Sequence, residues 1–365
     1  MPQKQLNLIN EASEEASEKI EIVDSDLLEQ LERVEDFAPT LKRMTIERLQ
    51  RTQAERNDKS EKRAAMTPVQ RRRDITRETL IETSLEQGDI HHIHSVLALC
   101  ALPYRKPKND MVSYKRKYGK MSLVVNAGSL ADPDTEEMMP QGIPYGPKAR
   151  LLMLHICTRA LRQKSPVIEL EDSLSAFIRS MGFGKSGGDR GTFPAFKEQI
   201  RRLAACTMQI GCFGDKKART INTNPISSID VWLPDNPDQK MLWNSTIVLS
   251  RDFYDSMTEH ALPVDIRSLS AVSHSAKQID ILLWLSYRLK QLHKPYFLTW
   301  AMLKEQFSQS PGLRMDHFQK FIKQDFKDIE EIFEKSLPLK VSEKGVTLMP
   351  CDPSDYFVPP KKLIR

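Results

Sequence analysis

The chain lacks any run of about 18 apolar residues, so no membrane-spanning helix is expected. Its first residues, MPQKQLNLINEASEE, contain no apolar stretch of the signal-peptide kind, which argues against secretion. Cysteine is scarce: Cys100, Cys157, Cys206, Cys212 and Cys351 are odd in number, widely scattered and without a CxxC. Neither a disulfide framework nor a zinc ribbon follows from that spacing, and the thiols read as reduced. Aromatics are missing from the front. Of 26 Phe, Tyr and Trp, only Phe37 falls in the first 100 residues. A region so poor in large side chains builds little core, and residues 1–65 are expected to be flexible or loosely helical. A charge surplus is nearly absent as well. Fifty-four Lys and Arg against 49 Asp and Glu leave only +5, which identifies no anionic partner.

What is present is more telling. At about 150 residues per domain, 365 residues make two to three domains with real cores. A mean hydropathy of -0.46 fits a soluble globular chain. Charge is unevenly placed: residues 1–40 carry 11 acidic and 3 basic side chains, whereas residues 41–120 carry 19 basic and 10 acidic. The acidic head reads as a solvated tail, with a DNA-mimicking or autoinhibitory role as the sharper alternative. From Thr67 to about Gln87 the pattern reads as a helix, opened by Pro68 and stopped by Gly88. A strand is expected at Met121 to Asn126, and ADPDTEEMMPQG (131–142) reads as a linker.

Beyond the linker the pattern sharpens. Leu151, Leu154 and Leu161 mark one face of a helix, and Pro166 to Leu170 reads as extended. In DSLSAFIRSMG, Asp172 suits a cap and Leu174, Phe177 and Met181 share a face. A glycine-rich turn leads to TFPAFKEQIRRLAAC, where Phe193, Phe196, Ile200 and Leu203 form the greasy side and Lys197, Arg201 and Arg202 the cationic one. TMQIGCF and SSIDVWLP are expected to be strands flanking a basic tip, GDKKART. Three helices followed by such a hairpin is the order of a winged helix-turn-helix, whose third helix enters the major groove while the hairpin reaches phosphates. The plainer alternative is an amphipathic helix with an ordinary solvated face. Residues 145–235 hold 14 basic and 8 acidic residues, a surplus above that of the whole chain.

Residues 276–350 repeat the plan. AKQIDILLWLSYRLKQL buries Ile281, Leu282, Leu285 and Leu289, KPYFLTWAMLKEQF follows as strand and helix, and a long third helix carries a core stripe of Phe318, Phe321, Phe326 and Phe333. A hairpin around Glu343-Lys344-Gly345 closes the copy. The fold class expected is mainly α with small β-hairpins (α+β), as tandem winged helix-turn-helix domains behind a flexible charged region. The divisions are 1–65 (flexible), 66–130 (lead-in), 131–142 (linker), 143–245 (first winged domain), 246–350 (second) and 351–365 (tail). DNA contacts are expected from Arg190, Lys197, Arg201, Arg202, Lys216, Lys217 and Arg219 in the first module. In the second they are expected from Arg314, His317, Lys320 and Lys323.

Other motifs point elsewhere. Gly182-Phe183-Gly184-Lys185-Ser186-Gly187 matches GxGxxG, but a helix precedes it where the dinucleotide fingerprint needs a strand. Read as a P-loop, it has Arg179 in place of the first glycine. His91, His92 and His94 lack a carboxylate or cysteine partner at ligand spacing and read as surface or capping residues. No catalytic cluster, metal set or cofactor motif stands out, and no enzyme is expected.

The strings GIPYGPKARLLMLHICTRALRQK, SLSAFIRSMGFGKSGG and FKEQIRRLAAC resemble the RepA-type plasmid replication initiator family, as do ALPYRKP upstream and IDILLWLSYRL downstream. The resemblance spans roughly residues 90–350, with PYGPKARL and EQIRRL its most specific blocks. It implies a protein of the bacterial cytoplasm that binds repeated double-stranded DNA sequences at a plasmid origin. Such binding helps open AT-rich DNA and recruits the host replicative helicase and initiator. Related initiators carry tandem winged-helix domains, and some form a homodimer and repress their own promoter. The resemblance places Lys197, Arg201 and Arg202 on one third helix and Lys320 and Lys323 on the other. The long N-terminal extension departs from the family pattern, and recruitment of a host factor is one role open to it. Two other readings stand beside this one: a transcriptional regulator without a replication role, and a nicking or priming enzyme, against which the missing metal-ligand set argues.

Overall fold

The computed structural model describes residues 21–34, 37–108, 111–132, 135–169, 183, 192–215, 217–230, 246–310, 312–352 and 356. They fall into two compact units, Met1–Arg71 and Arg72–Arg365. In the first, α1 (Ser25–Glu32) packs on α2 (Pro39–Ala65), whose first turn carries Pro39, where its missing N–H leaves no bond unmade. Leu27, Val34 and Leu49 are the buried apolar residues. Gln53 of α2 is also buried, and its Oε1 accepts from the N–H groups of Val23 and Asp24 at 3.1 Å each. Arg56 pairs with Asp24 and Asp26 beside it.

In chain order the remaining elements begin with α3 (Pro68–Glu82), whose residues from Arg72 on belong to the second unit. Then come β1 (Ile90–His94), α4 (Ser95–Leu99), β2 (Ser113–Tyr118), β3 (Met121–Asn126), β4 (Ser129–Asp132) and β5 (Glu137–Pro140). They are followed by α5 (Gly146–Gln163), β6 (Val167–Glu169), α6 (Thr192–Ala205), β7 (Thr207–Gly214), β8 (Lys217–Thr223) and β9 (Ile226–Asp230). The last stretch holds β10 (Thr246–Leu249), α7 (Arg251–Glu259), β11 (Ala261–Asp265), α8 (Ile266–Ala271), α9 (Ala276–Lys290) and β12 (Tyr296–Thr299). It ends with α10 (Trp300–Phe307), α11 (Met315–Glu330), β13 (Leu339–Val341) and β14 (Gly345–Leu348). The class is α+β. Five small sheets, ordered β1-β11, β6-β10-β9, β12-β14-β13, β2-β3-β7-β8 and β4-β5, are antiparallel throughout the described residues.

The strand expected at Met121 to Asn126 is β3, and α3 begins at Pro68 as expected. The first hairpin differs from the expectation. GDKKART is not a tip, because Lys217 already opens β8, which pairs with β7 from Gly214↔Lys217 to Met208↔Thr223. Ile221 and Thr223 turn inward beside Ile210 and Met208, an alternation hidden by the Lys and Arg at the start of the strand. The expected return strand is β9, which pairs with β10 in another sheet. β3 flanks β7 on its other side and β2 completes the sheet, so residues from the lead-in are integral to it. Residues 131–142, read as a linker, carry most of the β4–β5 hairpin. The helix expected around Leu174, Phe177 and Met181 lies outside the described residues, as does the side chain of Phe193.

The second copy follows its expected order. β12 pairs with β14, β14 with β13, and the turn falls at Glu343-Lys344-Gly345. A Cβ on Gly345 would lie 2.0 Å from the Leu298 carbonyl oxygen, so the close approach of β12 requires glycine there. Phe318, Ile322, Phe326 and Ile329 form the buried stripe of α11. Phe321, expected in that stripe, is 49% exposed, since it lies about 100° round the helix from the stripe centre. On α9 the four expected residues are buried, and so are Ile279, Leu283 and Trp284, because α4, α5, α11 and β11 all pack on this helix. One hydrophobic cluster runs from Ile93 to Leu348 and takes in helices of both expected modules. Among the described residues, no helix is long and apolar enough to cross a membrane.

Candidate nucleic-acid interface

α6 stands on Phe196, Ile200 and Leu203, each at most 1% exposed, which sets the outward direction of its other side. Lys197 is half-buried and Arg201, one turn on, is exposed. Arg202 faces inward instead. Its side chain is 12% exposed, donates to the Ile143 carbonyl at 3.0 Å and pairs with Glu198 at 2.9 Å. Its guanidinium also lies 5.1 Å from the centre of the Tyr145 ring. Tyr145 donates its hydroxyl to Glu198 at 3.1 Å, and burial, then the Glu198 charge, raises the phenol pKa. Buried Gln199 accepts from the Tyr145 N–H at 2.8 Å. Residues 198, 199 and 202 therefore bind α6 to the segment ahead of α5, and Lys197 with Arg201 make its outward cationic side.

The β2-β3-β7-β8 sheet adds cations that sequence spacing did not connect. Its four strands contain five Lys and Arg and no Asp or Glu. Lys217 and Arg219 on β8 are exposed, and so are Lys115 and Lys117 on β2. Register puts Lys117, Ser122, Gly211 and Thr220 in one cross-strand row and Lys115, Val124, Gln209 and Asn222 in the next. Both rows therefore lie on one face. The Lys117 ammonium sits 5.6 Å from the centre of the exposed Phe213 ring. At the sheet end, Lys120 pairs with Asp215 at 3.0 Å. Arg116 turns the other way, its Nη2 donating to the Glu305, Gln306 and Ser308 carbonyls at 2.8, 2.7 and 3.1 Å and closing the end of α10. Arg190 and Lys216 lie outside the described residues.

On α11 the charges are partitioned. Two acids of its later turns face inward: Asp325 pairs with Lys277 and accepts from Gln278 at 3.2 Å, and Asp328 accepts from Gln278 at 2.9 Å. Arg73 of α3, only 8% exposed, pairs with Asp328 and Glu331 at 2.9 Å each. Burial raises the Asp325 carboxyl pKa, and Lys277 works against that. Arg314 pairs with Asp316 at 3.0 Å, while His317, Lys320 and Lys323 are exposed on the first turns. Lys323 lies 5.2 Å from the Trp300 ring centre. Exposed Phe321 and Gln324 share this outward side. Neither was singled out by residue type, because a Phe reads as core and a Gln carries no charge signal.

The histidines sit in the body of the unit. His94 is buried, accepts from the Val96 N–H at 3.1 Å through Nδ1 and caps α4, with Nε2 3.0 Å from the Ser256 hydroxyl. Burial, reinforced by His260, brings its pKa down to about 4. His91 and His92 are also lowered to about 4, by burial first and Arg162 next. Among the described residues, no group of three or more His, Cys, Asp or Glu is placed to hold a metal ion.

With this geometry in view, comparison with known families is decisive at one place. The model of the plasmid encoded RepA protein family matches residues 143–302. The match covers 160 of the 365 residues. The match includes the PYGPKARL and EQIRRL blocks, runs from the start of α5 through α6 and α9, and ends inside α10. α11 and its hairpin lie beyond the matched RepA stretch. A crystal structure of domains 2 and 3 of RctB is similar at a TM-score of 0.44 and 10% identity, over 71% of this chain and 99% of that one. No curated protein matches the chain.

Proposed function

We propose that the chain is a RepA-type plasmid replication initiator that binds specific, repeated duplex DNA through two winged helix-turn-helix modules and performs no chemistry of its own. The first module is built on α5, α6 and the β7–β8 hairpin. The second is α9, β12, α10, α11 and the β13–β14 hairpin. The observation that carries this reading is the arrangement of α11: His317, Lys320 and Lys323 are exposed on its first turns beside Asp316, while Arg73, Lys277 and Gln278 hold Asp325 and Asp328 inward. A purely solvated helix has no need of such sorting. A groove-entering helix does, because a carboxylate facing phosphate is repelled. The family match supports the same reading for α6.

In this scheme Lys197 and Arg201 on α6, and His317, Lys320 and Lys323 on α11, face base edges and nearby phosphates. Lys115 and Lys117 contact the backbone from one face of the sheet, and Lys217 and Arg219, which alternate to the other face, contact it from the end of the β7–β8 hairpin. Bound to origin repeats in the bacterial cytoplasm, the protein promotes opening of the adjacent duplex and recruits host replication proteins, acting as a monomer or a homodimer. The test is a salt-titrated gel shift with the purified chain, followed by deletion of its gene from a minimal replicon. Specific binding whose loss ends replication supports an initiator. Specific binding whose loss leaves copy maintenance intact points to the transcriptional regulator instead. Equal binding to all duplexes overturns the reading.

A further inference from the structure

We propose that Arg150 and Asp280 fix the placement of the two DNA-reading modules relative to each other, so that the protein accepts its two contact segments at one spacing only. This inference rests on the tandem-reader function above. Arg150 lies in the first turns of α5 and Asp280 in the first turns of α9, 130 positions apart in the chain. Their side chains are 3% and 2% exposed. Each opens one module, and each falls within a block that carries the family resemblance, PYGPKARL and IDILLWLSYRL.

All five guanidinium N–H groups of Arg150 are directed. Nε donates to Asp280 Oδ1 at 2.7 Å and Nη2 to Asp280 Oδ2 at 2.8 Å, a bidentate pair. Nη2 also donates to the Leu102 carbonyl at 2.6 Å, and Nη1 to those of Pro103 and Gly146 at 3.2 and 2.8 Å. The plane lies 5.3 Å from the centre of the Tyr104 ring. One rigid fork thus joins three segments: the strap 102–104, the start of α5 and the start of α9.

α5 and α9 also pack on each other, and apolar residues of both, Leu151, Leu154, Ile281 and Leu285 among them, lie in the common core. Such contact is strong but non-directional, and leucine-rich helices settle at several neighbouring registers with similar burial. The Arg150 fork has one solution. A slide of one helical turn, about 5.4 Å, breaks every bond it makes. Buried ion pairs replaced by apolar residues of similar volume commonly leave stability unchanged or raised, so stability is not what this pair supplies. It supplies register, and through α5 and α9 it sets where α6 and α11 meet the duplex.

The test uses the full chain and a duplex bearing both protected segments. About 5 bp inserted between them rotates one segment half a turn. In the wild type this insertion is expected to cut affinity by about tenfold or more, towards that of one segment alone. In Arg150→Met/Asp280→Leu the same insertion is expected to cost about threefold or less, with single-segment affinity and Tm preserved. Should the double variant fail to fold by circular dichroism, Arg150→Lys carries the test, since an ammonium keeps the charge but not the fork, and the same flattening is expected. A variant that keeps the full spacing penalty overturns the proposal and leaves the tandem reading intact. A wild type that protects a single segment overturns both.

Discussion

Arg201 and Arg202 are neighbours on one cationic helix, yet the structure turns Arg201 outward and Arg202 inward, and alanine at each position separates the two. Arg202 is 12% exposed and makes a hydrogen bond to the Ile143 carbonyl, an ion pair with Glu198 and a ring contact with Tyr145. A charge-assisted bond contributes about 1.5–3 kcal/mol and a cation–π contact about 0.5–1. Glu198 is 35% exposed and keeps Lys106 at 3.6 Å, so its share is discounted for solvent. Arg202→Ala should therefore destabilise the unit by about 2–3 kcal/mol and lower Tm by about 4–10 °C. Arg201 is exposed, and Arg201→Ala should move stability by less than about 0.5 kcal/mol. It should instead weaken specific binding by about 1–3 kcal/mol, or about 5- to 150-fold, as for one lost base contact. Thermal unfolding and gel shifts on the same preparations read both quantities. If Arg202→Ala keeps its Tm and loses specific binding as Arg201→Ala does, Arg202 is a DNA contact and its internal role is wrong.

Lys217→Ala should weaken specific and random DNA alike and reduce the slope of log affinity against log salt by about 0.9, and Lys115→Ala/Lys117→Ala by about twice that, read from salt-titrated gel shifts. His94 is neutral and buried in the fold with a pKa near 4, against about 6.5 when unfolded. Its contribution is thus complete above pH 6.5 and lost as pH falls towards 4. His94→Asn, which keeps the cap acceptor, should reduce the acid slope of stability by up to about 1.4 kcal/mol per pH unit in urea titrations. Gly345→Ala drives a Cβ against the Leu298 carbonyl and should cost about 1–3 kcal/mol by the same assay.

Local signals in the sequence were read well. Pro68 opens α3, β3 spans Met121–Asn126 and the turn at Glu343-Lys344-Gly345 closes the last hairpin, since each depends on neighbouring residues alone. Long-range pairing was not legible. Nothing in the spacing says that β3 flanks β7, or that β9 leaves the hairpin for β10, because register is decided by partners 16 to 91 residues away. Phe321 reads as core by type and is exposed by angle, and Arg202 reads as surface by type and is internal by its partners. The cations on β2 were visible as residues but not as neighbours of those on β8, since only the fold brings Lys115 and Lys117 into one sheet with Lys217 and Arg219.

The central claim is that two modules of one chain read duplex DNA at a fixed separation, and a footprint tests it most directly. The full chain would be titrated against duplex flanking its own gene and against random duplex of equal length, at several salt concentrations. Two protected segments about 10–10.5 bp apart, centre to centre, repeated along the specific DNA and absent from the random one, are the predicted result. Protection that is equal on both DNAs, or absent from both, would contradict it.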